Sequence, residues 1–144
     1  MSYASKQDMI DRFGSDELIQ LTDRATPPAG VIDDVVLNAA MADADDEING
    51  YLQSKYTLPL ATVPLLIKKL ARAISRYNLY DDLPPEHVEN QYKSAIKTLE
   101  GIARGLMHIG PDNANVVTPE TSMPETKADP EVFTPDSVSG FTGR

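Results

Sequence analysis

The densest group of side chains capable of chemistry is the run Asp43, Asp45, Asp46, Glu47, Asn49 and Gly50. Oxygen donors this close together suggest a calcium loop, but Gly50 comes too late for the sharp turn such a loop needs, and the run lies inside a helical repeat. No metal is expected there. His87 and His108 fall at opposite ends of one expected helix, out of register for a shared ion, and each reads as a helix-end surface residue. With no cysteine in the chain, neither a disulfide framework nor a cysteine metal site is available. The sequence contains no G-x-S-x-G, no phosphate-binding loop and no G-x-G-x-x-G. An enzyme would need a cleft holding groups of shifted pKa, whereas the ionisable residues mostly fall on outer helix faces. No catalytic residue, cofactor or metal is therefore expected.

What remains is recognition by charge and shape. The formal net charge of -9 argues against nucleic acid as the main partner, because that binding draws its affinity from neutralised phosphates. Positive charge clusters at Lys68, Lys69, Arg72 and Arg76, at helical spacing. Such a run reads as the solvated side of an amphipathic helix or as a contact for an acidic neighbour, for which the Asp43 to Glu47 face of another copy would qualify. Tyrosines at 51, 56, 77, 80 and 92 are spaced for packing along helix faces with hydroxyls at the rim, rather than as a platform for bases.

These residues need elements to position them, and the chain reads as all-α. At 144 residues with 41% hydrophobic content it suits one modest core with surplus for a tail. The first residues lack the apolar run of a secretory signal, and no later run approaches the roughly 20 apolar residues needed to cross a bilayer. A soluble protein on the cytoplasmic side, with no membrane partner, is expected. The organising stretch is Ile32 to Pro59. Leu37, Ala40, Ala44, Ile48 and Tyr51 recur in steps of three and four, Asp33 and Asp34 can cap the start, and Leu58-Pro59 marks the far end.

Two short helices precede it. Ser5 can cap one through Lys6 to Arg12, with Met9, Ile10 and Phe13 as its apolar side and Gly14 as its stop. Ser15, Asp16 and Glu17 start the other, which carries Leu18, Ile19 and Leu21. Both should form only when docked on longer helices. After a Pro- and Gly-rich break from Thr22 to Gly30, the long helix runs from about Asp33 to Ser54; Gly50 beside Tyr51 reads as close packing of a neighbouring helix. Tyr56 to Val63 is an extended apolar link, and Pro64 opens a fourth helix reaching Tyr80 with Leu66, Ile67, Leu70, Ala71, Ile74 and Tyr77 on one face. The fifth starts near Glu86. Its seam is Val88, Tyr92, Ala95, Leu99, Ile102 and Leu106, closed off by Gly105, Gly110 and Pro111.

Residues 1–110 thus form the expected helical domain, and residues 111–144 an extended tail. The tail has five prolines, six acidic residues and two basic ones among mostly Thr, Ser, Asn and Gly. That is too little apolar surface to offset the entropy of ordering, so disorder without a partner is expected. Phe133 and Phe141 are isolated apolar residues in it that could dock on a partner.

The runs R-F-G-S-D-E-L-I-Q-L-T-D (Arg12 to Asp23), A-x-A-D-D-E-I-N-G-Y-L-x-x-K-Y-x-L-P-L (Ala42 to Leu60) and P-L-L-I-K-K-L-A-R-A-I-S-R-Y-N-L-Y (Pro64 to Tyr80) resemble the Mu-like phage family of small head-to-tail connector proteins. The resemblance covers about residues 3 to 110. It implies a structural virion protein: an adaptor ring beneath the portal, dodecameric to match it, joining the capsid vertex to neck or tail-terminator proteins. Packaged DNA would pass through the channel without sequence-specific binding, and an acidic inner surface would suit that passage. The alternative is a small helical regulatory or chaperone-like binding protein. The interface candidates are Arg72 and Arg76 on the basic side, Asp43, Asp46 and Glu47 on the acidic side, Tyr56, Leu58 and Leu60 in the link, and Phe133 and Phe141 in the tail.

Overall fold

Helix starts and stops are written into single residues. The Ser5 hydroxyl accepts from the Asp8 amide at 3.1 Å while the Asp8 carboxylate accepts from the Ser5 amide at 2.9 Å, a capping box that opens helix α1, Lys6–Phe13. Gly14, at φ 91°, ends α1 and leads into α2, Ser15–Thr22. A side chain is strained at that dihedral, and glycine is not. Asp33 caps α3, Asp34–Leu52, by accepting from the amides of Val35 and Val36. Pro64 precedes α4, Leu65–Leu79, and Pro85 precedes α5, Glu86–Ala103.

The computed structural model describes residues 2–109. Over them the chain is all-α, with the expected two short and three long helices. The expectations for the tail, with Phe133 and Phe141, lie outside the described residues.

Helices α3, α4 and α5 pack on one another, and α1 and α2 pair and lean on α3. Two apolar clusters result. The larger gathers Ile48 and Leu52 of α3, Ile67, Leu70 and Ile74 of α4 and Leu99 and Ile102 of α5. The smaller holds Met9, Leu18, Leu37, Met41 and Leu79, where the short helices dock. Each such aliphatic side chain taken out of water contributes about 1.5–3 kcal/mol, which is how helices of eight residues, marginal alone, become fixed.

Polar bonds lock the connections. Thr22 donates to the Leu18 carbonyl at 2.7 Å and accepts from the Asp33 amide at 2.9 Å, joining the end of α2 to the cap of α3. The Asp23 carboxylate gathers the amides of Ala25, Ala29 and Gly30 across the Pro-rich break. Those donors, Gly30 and Ala29 foremost, hold its carboxyl below the usual range.

Two sequence expectations are corrected. A methyl group added at Gly50 would meet nothing within 4 Å, so this glycine does not mark close packing. Leu106 does not extend the α5 seam. Gly105 turns to φ 80°, its amide donates to Ile102 and that of Leu106 to Gly101, and this Schellman closure leaves Leu106 75% exposed. The chain then returns to the core at Ile109, which is buried.

Candidate functional site

The basic stripe on α4 divides between internal and external work. Arg76 donates through Nε and Nη2 to the two carboxylate oxygens of Glu17, at 2.7 and 3.0 Å, and its guanidinium stands 4.5 Å from the centre of the Phe13 ring. With its side chain only 12% exposed, it braces α2 and the end of α1 against α4 rather than forming a solvated face. This corrects the expectation for Arg76: Glu17 is remote in sequence, and the fold brings it there. Lys68 is also engaged across elements, with Asp8 at 3.6 Å.

Lys69 and Arg72 remain. Together with Arg12 they line a groove of about 300 Å³ between α4 and α5, with Phe13, Leu66 and Leu70 as apolar surface and Ser94 and Thr98 on the α5 side. Among the described residues none of these three cations has an ion-pair partner, and no acidic side chain lines the groove. Arg72 Nε is buried without a hydrogen-bond acceptor, although a buried guanidinium donor ordinarily has one. The groove is therefore a concave, apolar-floored site that favours negative charge.

The acidic stretch of α3 divides in the same way. Asp43 and Asp46 are exposed, while Asp45 is buried. Asp45 accepts from the Tyr3 amide at 3.0 Å; burial nevertheless pushes its carboxyl above the ordinary carboxylate value. Glu47 accepts from the Tyr92 hydroxyl at 2.9 Å, and Tyr92 stacks on Tyr77 at 3.9 Å between ring centres. Burial first, and Glu47 second, push Tyr92 up to about 12. The Glu47 carboxylate, expected on the outer acidic face, is thus tied to α5. Tyr77 and Tyr92 pack along helix faces as their spacing predicts, but their stacking on each other and the burial of Asp45 are not named by it. The one available signal for Asp45 was its spacing, four residues after Met41 and three before Ile48, at the edge of the apolar stripe.

The link after α3 is also less open than expected. Tyr56 and Leu60 are buried in the larger core cluster, and the Tyr56 hydroxyl accepts from the Ile109 amide at 3.3 Å. Of the three candidates there, Leu58 alone is half-exposed; with Leu60, Tyr3 and Asn49 it lines a second hollow of about 310 Å³. An extended segment packed over helix ends contributes to the core through alternate side chains, a pattern that helical spacing does not reveal. Large exposed apolar side chains lie instead at helix ends and connections: Val31 and Val35 around the start of α3, Leu65 at the start of α4, Leu83 before α5, and Leu106 and Met107 after it.

No helix among the described residues is long and apolar enough to cross a membrane. Comparison with known proteins gives a consistent relation. The family model described as Bacteriophage Mu, Gp36 matches residues 3–128. Gene product J of Escherichia phage Mu is 31% identical over 134 residues, which is 92% of this chain and 94% of that protein. The Mu-like prophage FluMu protein gp36 of Haemophilus influenzae is 31% identical over 108 residues, 75% of each chain. The family match runs past residue 110, so the similarity extends beyond the helices into the first part of the tail.

Proposed function

The chain belongs to the bacteriophage Mu Gp36 family, and from that premise we propose that it is a structural virion protein, an adaptor in the head-to-tail connector. It forms a dodecameric ring beneath the portal and links the capsid vertex to neck or tail-terminator proteins, while packaged DNA passes through the channel without sequence-specific contacts. The observation that carries this reading is the charge left over after internal pairing. Lys69 and Arg72, with Arg12, face a groove without acidic lining, while Asp43 and Asp46 stand exposed on α3. Complementary patches on different faces of one chain make a heterologous contact, which closes into a ring when the rotation between copies allows it.

The test is co-sedimentation of the purified chain with portal rings and with mature heads. Binding to both is expected, weakened by Lys69→Glu with Arg72→Glu and again by Asp43→Lys with Asp46→Lys. A chaperone-like protein would instead bind a free partner and stay out of the particle, and that outcome would replace the adaptor reading.

A further inference from the structure

The basic groove offers two kinds of surface at once, cations at Arg12, Lys69 and Arg72 and an apolar floor at Phe13, Leu66 and Leu70. An occupant that satisfies both must carry carboxylates and a large apolar side chain close together. The Asp43 and Asp46 face of another copy supplies the charge, but its nearest exposed neighbours are Asn38, Ala39, Ala42 and Gly50, and its one large exposed hydrophobic, Val35, stands about 12 Å or more along the helix from either carboxylate at roughly 1.5 Å per residue. The C-terminal part of this chain supplies both. Residues 129–136 read Asp-Pro-Glu-Val-Phe-Thr-Pro-Asp, three carboxylates around one phenyl ring.

We infer that this segment seats in the groove of its own chain. Phe133 covers the apolar floor, and Asp129, Glu131 and Asp136 meet the accessible cationic groups of Arg12, Lys69 and Arg72. Reach is no obstacle. From Ile109 to Asp129 an extended chain spans up to about 65 Å at roughly 3.3 Å per residue, several times the radius of gyration of about 13 Å expected for a domain of a hundred residues. The segment lies beyond residues 3–128 matched by the family model. Docking needs no portal and does not rest on the adaptor reading. In a ring, the acidic face of the next copy competes for the same cations, so closing the ring displaces the segment.

Because the chain has no cysteine, Ser94→Cys on the groove wall and Thr134→Cys beside Phe133 give a single thiol pair in the full-length protein. Under mild oxidation the expected result is an intramolecular disulfide forming about tenfold faster than with Asn38→Cys and Thr134→Cys, since docking raises the effective concentration above that of a loose tether. Phe133→Ser should abolish the difference without touching any described helix, and so should Arg72→Glu. Salt near 1 M, where the Debye length falls to about 3 Å, should reduce it. Equal rates for the two pairs would overturn the inference. So would cross-links formed only between chains, which would give the groove to a second copy's segment.

Discussion

Removing the Arg76 guanidinium would take both donors from Glu17 and the cation from the Phe13 ring at one stroke. Because the bond is bidentate and largely shielded, Arg76→Ala should destabilise the fold by about 2 kcal/mol, below the range for a fully buried pair because Glu17 keeps some water. Urea denaturation of Arg76→Ala, Glu17→Gln and the double variant checks this, and a double variant no worse than Arg76→Ala alone would confirm that the two act as a unit. Asp45 carries the opposite cost. Its folded pKa is raised by burial, so the folded state holds the proton more tightly than the unfolded one. Stability from this group is complete below the unfolded carboxylate value and is lost as pH rises through the folded value. Asp45→Asn keeps an oxygen for the Tyr3 amide and should therefore raise stability at pH 7, with the gain vanishing as pH falls below the ordinary carboxylate range; melting curves across that window read it directly. Helical spacing hints at the burial of Asp45 but says nothing of the partner of Arg76. A stripe on one helix says which residues share a face, but Glu17 reaches Arg76 from an element 59 positions away.

At the scale of elements, the starts and stops were the most legible feature, since Ser5, Gly14, Asp33, Pro64 and Pro85 act through local backbone chemistry that a few neighbouring residues determine. The two glycines in or after helices are where local reading and packing part. Gly50 sits within α3 facing open space, so Gly50→Ala should stabilise the protein by up to about 1 kcal/mol through helix propensity. Gly105 holds φ 80°, and Gly105→Ala should destabilise it by about 1 kcal/mol. Thermal melts that move both variants in the same direction would contradict this assignment of their roles. The Tyr56 to Leu60 link hides its burial from helical spacing for a related reason. Its apolar residues looked free because no helix claims them, yet Tyr56 and Leu60 complete the cluster beneath the ends of α3 and α5.

For the whole molecule, the decisive feature is that ties between elements draw in Lys68, Arg76, Asp45 and Glu47, charges that helical spacing places on outer faces, while a basic groove and the exposed pair Asp43 and Asp46 are left among the surfaces able to meet something else. The bundle class was readable because five amphipathic or capped segments with short connections leave few other arrangements. The groove was not, because it is assembled from three helices and appears only after Arg76 and Lys68 have been drawn into internal pairs. In the proposed adaptor role, the bundle acts by where it sits in the particle. The most direct measurement is the mass of full-length chain that co-sediments with purified portal rings at saturation. One copy per portal subunit is expected, with binding weakened by combined Lys69→Glu and Arg72→Glu substitution. Failure of the folded chain to bind portal rings or heads at any concentration, or virions that are complete and infectious without it, would contradict that role.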